Sequence, residues 1–69
     1  MSYVAERIKA MRLASGLTLQ EVANRANVSA TYLRKIEGEE ANPTLDIVER
    51  ISRSMGYEIL LDFKRVDLI

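Results

Sequence analysis

Apolar residues recur at helical spacing as far as Gly56 and then switch to strict alternation. From Tyr3 to Ala14, Val4, Ile8 and Met11 share one helix face and charges fill the other. Ser2 is placed to cap this helix and Gly16 to end it. A second helix opens at Thr18, where Thr18-Leu19-Gln20-Glu21 has capping-box spacing. The threonine hydroxyl would accept the Glu21 N–H, and the Glu21 side chain would reach back. Val22, Ala23 and Ala26 form a short apolar face of small residues. Asn27 tolerates left-handed backbone, so a sharp turn is expected there. Ser29 caps a third helix in which Leu33 and Ile36 face inward, with Val28 plugging the turn. Glu37 to Pro43 reads as a loop. Gly38 suits a helix end, and Pro43 cannot continue a helix from upstream. The fourth helix runs from about Thr44 to Met55, with Leu45, Val48, Ile51 and Met55 in one stripe, and Gly56 stops it.

Beyond Gly56, Tyr57, Ile59, Leu61 and Phe63 alternate with Glu58, Leu60, Asp62 and Lys64. Period two predicts a strand, the only one in the chain. A lone strand has two unpaired edges. The simplest partner is the same strand of a second copy, antiparallel across a two-fold axis; a continued helix or a frayed tail is the alternative. The expected architecture is all-α, a four-helix bundle over residues 1–56, with one C-terminal β-strand in a dimerisation tail over residues 57–69. Tyr57, Ile59, Leu61 and Phe63 would form the homodimer contact.

Sixty-nine residues make one domain with a thin core, which often leans on a partner. The chain has neither cysteine nor histidine. Disulfides and thiolate or imidazole metal sites are excluded, and the commonest general base is missing. No cofactor or metal is expected, and an enzyme is the weakest reading. Glu39-Glu40 reads as a solvated loop, and no glycine-rich phosphate loop is present. No run of about 18 apolar residues exists. Met1 to Ala10 lacks the apolar stretch of a signal peptide, so a cytoplasmic protein is expected.

Net charge is zero, but the charge is polarised. Residues 1–36 carry six cations against two carboxylates, and residues 37–69 carry four against eight. The basic half could meet phosphate while the acidic half faces away.

The centre of the chain, Thr18 to Gly38, is two short helices joined by a tight turn. Such a unit projects the N-terminal end of its second helix, which carries free N–H groups and partial positive charge. Here the chain resembles the Cro/lambda-repressor-like helix-turn-helix proteins, also called the Xre family. The likeness covers roughly residues 4–56. It rests on Ile8…Arg12, Leu17-Thr18, Val22-Ala23, Val28-Ser29, Tyr32-Leu33, Ile36-Glu37-Gly38, Pro43-Thr44-Leu45 and Val48…Ile51, in that order and at those spacings.

The resemblance implies that the helix beginning after Ser29 enters a DNA major groove, with Ala30, Thr31, Arg34 and Lys35 as base readers. Their chemistry agrees. Arg34 and Lys35 can donate to guanine, Thr31 can bond either kind of base edge, and Ala30 can pack on a thymine methyl. Lys9, Arg25, Ser29 and Tyr32 are candidates for phosphate. Relatives usually have a phosphate-contacting Gln where this chain has Leu19, which leaves Gln20 and the Thr18 hydroxyl as substitutes. Arg12 and Glu37 match a semi-buried ion pair of the family. The expected function is a sequence-specific regulator, a repressor, that reads a palindrome as a homodimer. Helix four followed by Gly-Tyr-Glu-Ile-Leu-Leu-Asp-Phe also looks like antitoxins of toxin–antitoxin pairs. On that alternative a toxin is a second partner, and Val66, Leu68 and Ile69 are apolar residues that could dock it. A protein-interaction module without DNA binding is the third reading, disfavoured by Thr31, Arg34 and Lys35.

Overall fold

The computed structural model describes residues 2–68, with side-chain surroundings from Tyr3 to Leu68. Four helices follow one another: α1 (Ser2–Ser15), α2 (Leu19–Ala26), α3 (Ala30–Glu37) and α4 (Leu45–Ser54). α1 takes in Ser2, the residue expected to cap it from outside. The other three each start after a hydroxyl cap, at Thr18 and Ser29 as expected and also at Thr44, which was expected inside its helix. Thr18 accepts the Glu21 N–H at 3.1 Å, Ser29 the Tyr32 N–H at 3.0 Å and Thr44 the Ile47 N–H at 3.2 Å. Each side chain satisfies an amide that has no partner inside its helix. At Thr18 the box is complete, because its backbone N–H donates to Glu21 Oε1 at 2.9 Å.

All four helices end in one hydrogen-bond pattern. The residue after the turn donates back five positions, and the residue before it donates back three, as a Schellman motif requires. The donors are Leu17 to Arg12 and Gly16 to Leu13, then Val28 to Ala23 and Asn27 to Asn24. They recur as Glu40 to Lys35 and Glu39 to Ile36, then Tyr57 to Ser52 and Gly56 to Arg53. The left-handed residues are Gly16, Asn27, Glu39 and Gly56, with φ of 69°, 58°, 62° and 84°. Three were legible. The fourth corrects the expectation for Gly38, which sits at φ −89° while the turn falls one residue later on Glu39.

α2 packs on α3 and α4, and α1 on the same two helices. Ile8, Val22, Ala23, Ala26, Leu33, Ile36, Ile51 and Met55 form the core between them. Ala23 is fully buried, so its small side chain lets α2 approach its neighbours closely. The α4 stripe is only partly inward. Ile51 and Met55 are buried, but Leu45 is 55 % exposed.

The expected strand, which would pair across a dimer, does not form within the single chain. Residues 57–68 run without turn, bend or ladder, and the single chain is all-helical among the described residues. A strand exists only through hydrogen bonds to a neighbouring strand, and among the described residues no segment of the same chain forms a ladder with this one. Tyr57, Ile59 and Leu61 instead line a groove against α1 and α4, while Phe63 stands 93 % exposed. Val66 and Leu68 are exposed too; Ile69 lies outside the described residues.

Candidate nucleic-acid interface

The site is built from the turn at Asn27. With φ 58° and ψ 45°, Asn27 reverses the chain between α2 and α3. Val28 drops onto the core, and Ser29 caps α3. Leu33 and Ile36 anchor α3 from beneath, each at most 1 % exposed. Residues three and four apart share a helix face. Thr31, Arg34 and Lys35 therefore form one outward stripe, and all three are exposed. This stripe offers a hydroxyl, a guanidinium and an ammonium, the donor types that read base edges in the major groove.

The other expected contacts divide. Ala30 and Tyr32 are half-buried and pack against the core, so part of each is already spent on the fold. Lys9 on α1, Arg25 in the last turn of α2 and Ser29 are exposed. Leu19 is half-buried and packs on the core, which explains an apolar residue there. Gln20 is exposed, and its amide donates to Asn24 Oδ1 at 2.8 Å. Thr18 spends its oxygen on the helix cap, but a hydroxyl that accepts can still donate its proton. Hydrogen bonding from Thr18, its backbone N–H first and its side chain second, holds the Glu21 carboxyl below its ordinary value.

Arg12 and Glu37 meet in a two-pronged pair. Arg12 Nε donates to Glu37 Oε2 at 2.8 Å and Nη2 to Oε1 at 3.0 Å. Their side chains are only 13 % and 7 % exposed. The hydrogen bonds to Glu37 hold the guanidinium above its ordinary pKa, against the opposing effect of partial burial. A third bond, from Nη1 to the Leu17 carbonyl at 3.2 Å, was not legible in the sequence. The pair thus ties α1 and the α1–α2 turn to the end of α3. A second unforeseen contact runs from Arg50 Nη2 on α4 to the Asn27 carbonyl at 3.5 Å. It touches the bend that orients α3. Nothing in local spacing could have signalled a contact between positions so far apart in the chain.

Two short helices about a left-handed turn, with the second one's polar stripe free, define a helix-turn-helix protein. The comparison with known families agrees: the chain belongs to the family described as Helix-turn-helix, matched over residues 8–61. The immunity repressor protein of Bacillus phage phi105 is 38% identical over 56 residues, 81% of this chain and 39% of the repressor. The HTH-type transcriptional regulator SinR of Bacillus subtilis (strain 168) is 34% identical over 64 residues, 88% of this chain and 58% of the regulator. The chain therefore spans between about two and three fifths of the length of these curated relatives. Among solved structures, the wild-type restriction-modification controller protein C.Esp1396I superposes with a TM-score of 0.80 at 32% identity, over 83% of this chain and 75% of that one. The tetramer of that controller in complex with its natural 35 base-pair operator gives 0.79 at 32% identity.

Proposed function

We propose that this chain is a sequence-specific DNA-binding transcription regulator, a repressor, that occupies a palindromic operator as a homodimer. The observation that carries the reading is the free stripe of Thr31, Arg34 and Lys35 on a helix held from behind by Leu33 and Ile36. In this account these three side chains read bases, with Ala30 at the near end. Lys9, Arg25, Ser29, Thr18, Gln20 and the edge of Tyr32 hold phosphates. Dimerisation falls to the segment after Gly56, and two recognition helices then sit about 34 Å apart, one turn of B-DNA or a multiple. Repression follows by covering a promoter.

Likeness to an operator-bound controller and to proteins named as repressor and regulator supports this reading. The antitoxin alternative has no such support, because the relatives and solved structures above are named as repressor, regulator and controller. The test is selection of bound duplexes from a random pool. The expected result is an enriched sequence with two-fold symmetry. A pool that stays random at low salt overturns the reading.

A further inference from the structure

The groove left between α1 and α4 holds about 980 Å³. Val4, Met11, Pro43, Leu45, Val48 and Ile59 line it, so its walls are mainly apolar. The same chain carries a matching set of uncovered groups. Phe63, Val66 and Leu68 are 93 %, 65 % and 92 % exposed. They sit on a segment whose backbone, from residue 58 to 68, makes no backbone–backbone hydrogen bond among the described residues. That segment projects. The molecule is 47 Å long but only 24 × 19 Å across, while its longest helix, fourteen residues, spans about 21 Å.

We propose that residues 62–68 form an arm that seats in the α1–α4 groove of a second copy, each copy giving and receiving one arm. The proposal rests on the homodimer reading above and says how that dimer is held. The arm is poorly placed to fill its own groove. Residues 57–61 already form one wall of it, so the chain would have to reverse just beyond Leu61. The last glycine is Gly56 and the only proline is Pro43, and residues 57–68 contain no turn or bend. A two-fold axis removes the difficulty, because the arm then runs straight on into the neighbour and the contact closes on itself.

Area and charge agree. Three side chains from each arm, at roughly 100 Å² apiece, together with the groove they cover, remove about 1,200 Å² from water. That reaches the lower bound of stable interfaces. The groove wall carries Arg7 and Glu58, and the arm carries Asp62 and Asp67 beside Lys64 and Arg65, so each wall charge meets an available opposite.

The absence of native cysteine allows one spin label to be placed by Asp67→Cys. Labelled protein is mixed with an equal amount of unlabelled, isotope-enriched full-length chain. The expected result is broadening of the Val4, Leu45 and Val48 methyl signals in the copy that bears no label. Phe63→Asp with Leu68→Asp should weaken dimerisation at least tenfold in sedimentation and leave the helical circular dichroism unchanged. Sharp methyls in the unlabelled copy, with broadening seen only when the labelled chain is itself the enriched one and is diluted with non-enriched, unlabelled chain, mean that the arm folds back, and overturn the exchange. So does a dimer whose groove methyls stay sharp, or a monomeric chain. If a monomer still selects one DNA half-site, the exchange fails and the DNA reading survives. If the arms exchange but no duplex is enriched, the exchange stands and the DNA reading falls.

Discussion

The most informative single residue is Glu39, because it occupies the left-handed position that glycine takes at the ends of α1 and α4. A non-glycine residue there costs roughly 1–2 kcal/mol. Glycine would remove that cost but give back some through a freer unfolded chain. Glu39→Gly should therefore stabilise the fold by about 0.5–1 kcal/mol, seen as a rise of a few degrees in Tm. An unchanged or lower Tm would mean that the carboxylate makes up the difference elsewhere. Two positions earlier the same substitution logic reverses. Glu37 receives both prongs of Arg12, and both side chains are largely shielded from water. Removing one partner strands the other charge. Glu37→Ala should cost about 2 kcal/mol, somewhat less than the loss from a fully buried pair. Glu39→Ala, which leaves a left-handed non-glycine residue in place, should move Tm little. Equal melting temperatures for the two alanine variants would defeat this account.

At the scale of elements, the helix starts are side-chain chemistry and the helix ends are backbone chemistry, and this difference explains what could be read in advance. Thr18 and Ser29 announced their helices because a hydroxyl next to an amphipathic run has few other uses; Thr44 marked only the approximate start of α4 and proves to cap it. Gly16, Asn27 and Gly56 announced stops for the same kind of reason. Glu39 did not, because the hydrogen bonds that select it over Gly38 depend on where the chain must go next. Alternation after Gly56 pointed to a strand, but a ladder needs a partner that one sequence does not contain. The inward face of α3 was legible from period and its outward readers from the family resemblance; the ties from Arg12 to Leu17 and from Arg50 to Asn27 were not. The capping box of α2 also predicts a pH dependence. Bonding to Thr18 lowers the Glu21 pKa in the folded state. A carboxylate depressed by folding adds stability above its unfolded pKa and loses it as pH falls through the folded one. The Tm gap between wild type and Glu21→Ala should be widest near neutrality and should shrink as pH falls below the ordinary Glu value. A gap that is constant across that range would show that the Glu21 charge plays no part in the cap.

On the scale of the whole molecule, a net charge of zero hides a division of labour. The basic half of the chain contains α1, α2 and α3, and therefore every cation proposed to touch DNA; the acidic half contains α4 and the arm. Phosphate contacts act through counterion release and are blind to sequence, whereas base contacts discriminate. Lys9 and Lys35 carry the same charge and are both exposed, yet one stands on α1 and the other on the free stripe of α3. If the proposed interface is right, replacing each by alanine should separate the two kinds of contact. Lys9→Ala should weaken binding to selected and random duplexes alike. It should also flatten the dependence of log affinity on log salt by about two, one phosphate from each protomer of a dimer. Lys35→Ala should cost about 1–3 kcal/mol per half-site, roughly twice that on the whole selected operator, and relax preference at one position of each half-site. Competition titrations at two salt concentrations, with operator and random DNA side by side, measure both quantities. Identical losses for the two variants on both DNAs would mean that the α3 stripe acts only as general positive charge. In that case the sequence preference would have to come from the deformability of the duplex that two linked protomers bend.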